Sequence, residues 1–194
     1  MTRAPVPVPA WLRGLAFATA LLCCTGARAD WTVRIHRPAD ATTPATATLV
    51  HPDSGDASPA ALARVLAGHV ATPGAPAPRT MVAHGLAGSD AFQAELAAAL
   101  RRSAPSEFAQ ALASAGNMHN PRMVPLRAHV EREVLRTPTV QALAPVLASH
   151  GLGFGRAGVE KLVLQGPPDA PRLSFMLFIT IEPTPEPGEP PHLP

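Results

Sequence analysis

The nine residues Leu173 to Ile181 (LSFMLFITI) constrain the fold most, because they are apolar on both parities of an extended chain. A strand of that kind belongs inside a sheet with cover on each face. Left at an edge, it would pair with other chains and aggregate. Val159 to Leu164 (VEKLVL) comes before it across Gln165 to Arg172, a stretch rich in proline and glycine. The two runs are therefore expected to form a long-looped hairpin.

The rest of the chain must supply further strands and their cover. Trp31, Val33 and Ile35 alternate with Thr32, Arg34 and His36, the period of a half-buried strand, and Ala45 to His51 makes a second, weaker one. Ser58-Pro59 opens a helix with Leu62, Val65, Leu66 and Val70 on one stripe, closed by a proline-rich loop at 71–79. Asp90 is expected to cap a helix carrying Phe92, Leu96 and Leu100, with Gln93 where a capping box would place it. Ser103 is expected to cap the next, which carries Phe108 and Leu112 and stops at Gly116. Thr137-Pro138 opens another that runs through Leu143 and Leu147 to Gly151. A proline inside a helix costs about 3 kcal/mol, so Pro145 requires this last helix to kink or to start late.

Met123 to Leu135 separates its faces by parity, with Val124, Leu126, Ala128, Val130 and Val134 against Arg127, His129, Glu131 and Glu133. This reads as a long strand whose beginning, at Pro125, lies at a sheet edge. A helix is the rival reading, since Leu126, Val130 and Val134 also lie four apart. With the strand, the class is α+β: a mixed four- to five-stranded sheet with helices mainly on one face, ending in a strand-helix-strand crossover and a C-terminal hairpin.

The amino terminus reads as an address. Arg3 and Arg13 precede an apolar run of ten residues, Leu15 to Cys24, and Ala27-Arg28-Ala29 has the small-x-small pattern of a cleavage site. A signal peptide over 1–29 is expected, cut after Ala29. The run is too short to span a bilayer as a helix. Cys23 and Cys24 close it as lipid-bearing cysteines do, but the residues before them, Leu22 and Cys23, do not suit such a site. Cleavage removes both cysteines and three of the sixteen basic residues but none of the fourteen acidic ones, leaving a net charge of −1. What remains offers no disulfide and no cationic field for nucleic acid. The expected organisation is one domain over 30–182, held by an ordinary core, and a proline-rich acidic tail over 183–194 that does not fold. Export from a bacterial cell to the periplasm or beyond follows.

No catalytic set assembles from the motifs. Gly153 to Gly158 matches G-x-G-x-x-G, but it follows a helix and enters a strand, the reverse of the order a dinucleotide site needs, and is expected to be a glycine-rich connection. His84 to Asp90 (HGLAGSD) offers the glycine-flanked donors of an oxyanion loop, yet G-x-S-x-G is absent. It reads as a strand-to-helix turn in which Ser89 or Asp90 caps the helix. His129, Glu131 and Glu133 are the metal candidates. On one strand face they would stand about 7 Å apart, with His119 or His84 able to complete a site. A solvated face, with Arg127 paired to a glutamate, is the simpler expectation. The polar loop carrying Asn117, His119, Asn120 and Arg122 is a candidate contact surface. The reading favoured is a non-catalytic binding or accessory module of the bacterial envelope, without cofactor, whose partner is another envelope protein. The alternatives are a periplasmic hydrolase or metal-dependent enzyme using His129, Glu131 and Glu133 or the His84 loop, and a secreted effector or its periplasmic inhibitor.

Overall fold

The computed structural model describes residues 31–40, 42–51, 57–113, 123–167 and 170–184. The expected leader with Cys23 and Cys24, the loop bearing Asn117, His119, Asn120 and Arg122, the helix stop at Gly116 and positions 185–194 of the expected tail lie outside the described residues. The described residues include no cysteine, and none of their helices is long and apolar enough to cross a membrane.

Two short strands, β1 (Thr32–His36) and β2 (Thr46–Val50), pair antiparallel with Thr32 opposite Val50. Helix α1 (Pro59–Val70) then crosses to β3 (Pro78–Val82), which lies parallel to β2. α1 begins as its sequence predicts: Pro59 stands in the first turn, and the Ser58 hydroxyl accepts a hydrogen bond from the Ala61 amide at 3.2 Å. Six further helices follow among the described residues: α2 (His84–Gly88), α3 (Asp90–Ser103), α4 (Pro105–Ala113), α5 (Met123–Val134), α6 (Pro138–Gln141) and α7 (Ala144–Ala148). The chain closes with the expected hairpin, β4 (Leu152–Gln165) against β5 (Arg172–Pro183), the latter reaching the first residue of the predicted tail.

The sheet order is β1-β2-β3-β5-β4, so the apolar last strand is interior, as expected. The class is α+β, with a mixed five-stranded open sheet. On one face Leu49, Met81, Val159, Leu177 and Ile179 are buried in a single core with Leu62 and Leu66 of α1, Phe92 and Leu96 of α3 and Leu126 and Val130 of α5. The other parity of β5 corrects the expectation of cover on both faces: Ser174 and Thr180 are exposed and Met176 and Phe178 only half-buried.

Met123 to Leu135 is the main correction, for it forms helix α5 and not a strand. Leu126, Val130 and Val134, four residues apart, are each fully buried, whereas Val124, on the same parity, is 70% exposed. Burial thus follows the helical period. Pro125 sits in the first turn, where its missing N–H costs nothing. The parallel crossover is consequently β2–α1–β3 and not the segment leading into the hairpin.

Other ends differ in detail. Ser89, not Asp90, caps α3, its hydroxyl accepting from the Phe92 amide at 3.3 Å, and Asp90 adds negative charge to the first turn. Ser103 is the last residue of α3 and caps nothing. Pro145 is accommodated by division: α6 stops at Gln141, and the proline falls in the opening turn of α7. Gly151 then reverses the chain at φ 67°. The glycine-rich run lies within β4, where pairing to β5 skips between Phe154 and Ala157. A Cβ on Gly155 would collide with the side-chain ends of Thr180 and Glu182, which explains a glycine at that bulge.

Thr137 is buried at 2% exposure and closes two gaps at the start of α6: its hydroxyl donates to the Val134 carbonyl at 2.8 Å and accepts from the Val140 amide at 3.4 Å. Thr137→Ala is expected to cost about 1–2 kcal/mol, read as a lower urea midpoint with an unchanged slope, while Thr137→Ser retains most of the stability.

Candidate functional site

The metal candidates do not converge. On a helix Glu131 points away from His129 and Glu133, which lie one turn apart, and each of the three is engaged locally. Arg132 donates to His129 Nδ1 at 2.7 Å, and Glu133, 7% exposed, pairs with Arg136 at 3.4 Å. Glu131 forms the expected pair with Arg127 at 3.5 Å, one helical turn apart. Among the described residues, no three His, Cys, Asp or Glu side chains are grouped to hold a metal.

That Arg127–Glu131 pair has a structural task. The Val159 amide donates to Glu131 Oε1 at 3.2 Å, and the Val159 carbonyl accepts from Arg127 Nε at 2.6 Å and from its terminal nitrogen. Two side chains of α5 thus take the place of a neighbouring strand at the β4 edge.

The uncovered sheet face supplies the site. Register places Arg34, Thr48, Thr80 and Thr180 side by side across four strands, and next to them Thr32, Val50, Val82, Phe178 and Gly158. Of these rows Arg34, Thr48, Thr80, Val50, Val82 and Phe178 line a groove of about 650 Å³, together with His36, His51 and His84. Its size falls in the range of small-molecule sites. Period-two alternation puts the strand residues there: the apolar parity that includes Leu49, Met81 and Ile179 goes to the core, which leaves Arg34, His36, Thr48, Val50, Thr80, Val82 and Phe178 on the other face.

The electrostatics are one-sided. One arginine and three histidines line the groove, and none of its described lining residues is acidic. His51 packs edge-on against the buried Trp31, with ring centres 4.9 Å apart. His84 meets Phe178 at 5.8 Å with the rings at 89°, and its Nδ1 is buried without a hydrogen-bond partner among the described residues. His84 also borders a second hollow of about 270 Å³, shared with Gln165, Arg172 and Ser174, with no acidic residue among its described lining residues. Asp90, the carboxylate of the His84 segment, pairs with Arg172 at 2.9 Å, and no acidic residue stands with His84 among the described lining residues of either hollow to orient its imidazole as a hydrolytic triad requires. The groove can hold an anion against Arg34 and His36, which are exposed, while an apolar group lies on Val50, Val82 and Phe178.

Between β1 and β2 the chain turns at Asp40, whose carboxylate accepts from the Thr42 hydroxyl at 2.5 Å, the Thr42 amide at 3.0 Å and the Thr43 hydroxyl at 3.0 Å. The Thr42 hydroxyl, followed by the Thr42 amide and Thr43, holds this carboxyl below its usual pKa. The bonds favour the turn above the ordinary aspartate range, and that preference is lost as pH falls through the lowered value.

Comparison of the chain with protein-family models, with curated proteins and with solved structures finds no match.

Proposed function

We propose that this protein is a non-catalytic binding or accessory module of the bacterial envelope, exported by a leader that ends at Ala29, and that it binds through the open face of its sheet. The groove that sets Arg34 and His36 beside Val50, Val82 and Phe178 carries this reading. Arg34 and His36, with no acidic residue among the described lining residues, favour a carboxylate or a phosphate, and Val50, Val82 and Phe178 favour an attached apolar group. Export is supported by the basic, apolar and small-residue order of positions 3–29.

Octanoate tests the proposal, with 1-octanol and inorganic phosphate as the two halves of the same chemistry. Titration of the protein beginning at Asp30 is expected to move the NMR signals of Arg34, His84 and Phe178 with octanoate and far less with either half. A hydrogen bond to a charged group contributes about 1.5–3 kcal/mol, so Arg34→Ala should weaken octanoate by about tenfold or more. Equal binding of octanol, or signals of the groove unmoved by octanoate, would overturn the assignment. Recovery of the protein from the periplasm with Asp30 as its first residue is the expected result for export, and an intact Met1 on cytosolic protein is the opposing one.

A further inference from the structure

The two edges of the sheet are treated differently. Along β4 the Arg127–Glu131 pair occupies both backbone groups of Val159. Pairing with β5 skips between Glu160 and Val163, and Lys161 adopts φ 52° there, so the edge is kinked as well as capped. At the other end of the sheet, β2 is the one strand paired with β1 among the described residues.

Which groups β1 leaves outward follows from alternation. The His51 amide donates to the Val82 carbonyl at 2.8 Å, so that position of the second strand faces β3 and its neighbour Val50 faces β1. Val50 is opposite Thr32 and Thr48 opposite Arg34, so Thr32, Arg34 and His36 turn their backbone groups toward β2. Val33 and Ile35 turn theirs away from the sheet. Ile35 is also 43% exposed on the helical side, and Arg34 and His36 project on the groove side.

We infer that β1 is a docking edge for an extended segment of another protein, one that alternates acidic and apolar residues and adds to the sheet as a sixth strand. Its backbone would bond to Val33 and Ile35, its acidic residues would stand beside Arg34 and His36, and its apolar residues would cover Ile35. A second copy of this chain fits poorly. The antiparallel register that uses the backbone of both Val33 and Ile35 sets Arg34 directly against its own copy, and like charges so placed repel. The charge that discourages self-pairing therefore selects the partner.

The probe is a seven-residue peptide of alternating valine and glutamate, compared with its valine–lysine counterpart. In the free protein the Val33 and Ile35 amides are expected to exchange rapidly with deuterium, and saturation with the acidic peptide should slow them by about tenfold or more. Ile35→Pro removes one outward donor without disturbing pairing to β2, and should weaken the peptide by about tenfold while leaving octanoate binding unchanged. Arg34→Glu leaves the backbone intact and should reverse the preference to the lysine peptide, which keeps the test decisive if the proline variant does not fold. Protection of Val33 and Ile35 in the free monomer would show that the chain fills its own edge. A dimer abolished by Ile35→Pro would show that a second copy does. Either result, or equal affinity for both peptides, overturns the inference.

Discussion

Gln93→Ala is expected to destabilise the protein by about 3 kcal/mol or more, because it strands buried backbone groups rather than removing surface polarity. Gln93 is 6% exposed. Its amide nitrogen donates to the Ala87 carbonyl at 2.5 Å and to the Leu173 carbonyl at 2.7 Å, and its oxygen accepts from the Leu173 amide at 2.9 Å. β3 pairs with β5 at residues 178–180, so Leu173 lies beyond that ladder and the glutamine completes it. For a domain of this size the loss corresponds to a Tm about 6–12 °C lower, and a change below about 2 °C would mean that water replaces the side chain. Gln93→Glu separates the donor role from the acceptor role. An ionised carboxylate there accepts from Leu173 but faces the Ala87 and Leu173 carbonyls without a proton to give. Burial raises the pKa of such an acid. Its cost should therefore be smallest in acid and grow as pH rises through the raised value, measurable by urea unfolding across pH.

Phe92→Ala is expected to cost about 3–5 kcal/mol, the usual range for a large aromatic side chain deleted from a closed core. Phe92 is fully buried and Phe175 is 8% exposed, with ring centres 6.3 Å apart and planes at 50°. The pair joins α3 to β5. Phe175→Ala, at the less enclosed partner, should cost less, and the double variant should show about 0.5–1.5 kcal/mol of coupling. Strict additivity would mean that the two rings pack independently.

The helix starts at Ser58-Pro59 and Thr137-Pro138 were readable because a cap and a first-turn proline act within four residues of one another. The C-terminal hairpin was readable for a similar reason, since its two runs flank one loop. Met123 to Leu135 was not, because Leu126, Val130 and Val134 satisfy a period of two and a helical period equally. Only Val124 and Ala128 distinguish them, and both proved exposed. Gln93 looked like a capping residue because its real partner, Leu173, lies eighty positions away and leaves no local trace. The groove was half visible. Arg34 and His36 already stood on the polar parity of β1, and in LSFMLFITI one parity is wholly apolar while the other contains Ser174 and Thr180. The width of the groove could not be foreseen, because that depends on β5 entering between β3 and β4.

This insertion also governs the order of assembly. Thr80 pairs with Thr180, a hundred residues further on, so β3 lacks one neighbour until β5 has been made. Contacts of that span slow folding and leave nascent edges vulnerable to intermolecular pairing. A chain kept unfolded by a carrier until its last strand has emerged avoids the hazard, so premature release should yield aggregates seeded at β3 rather than a stable partial domain.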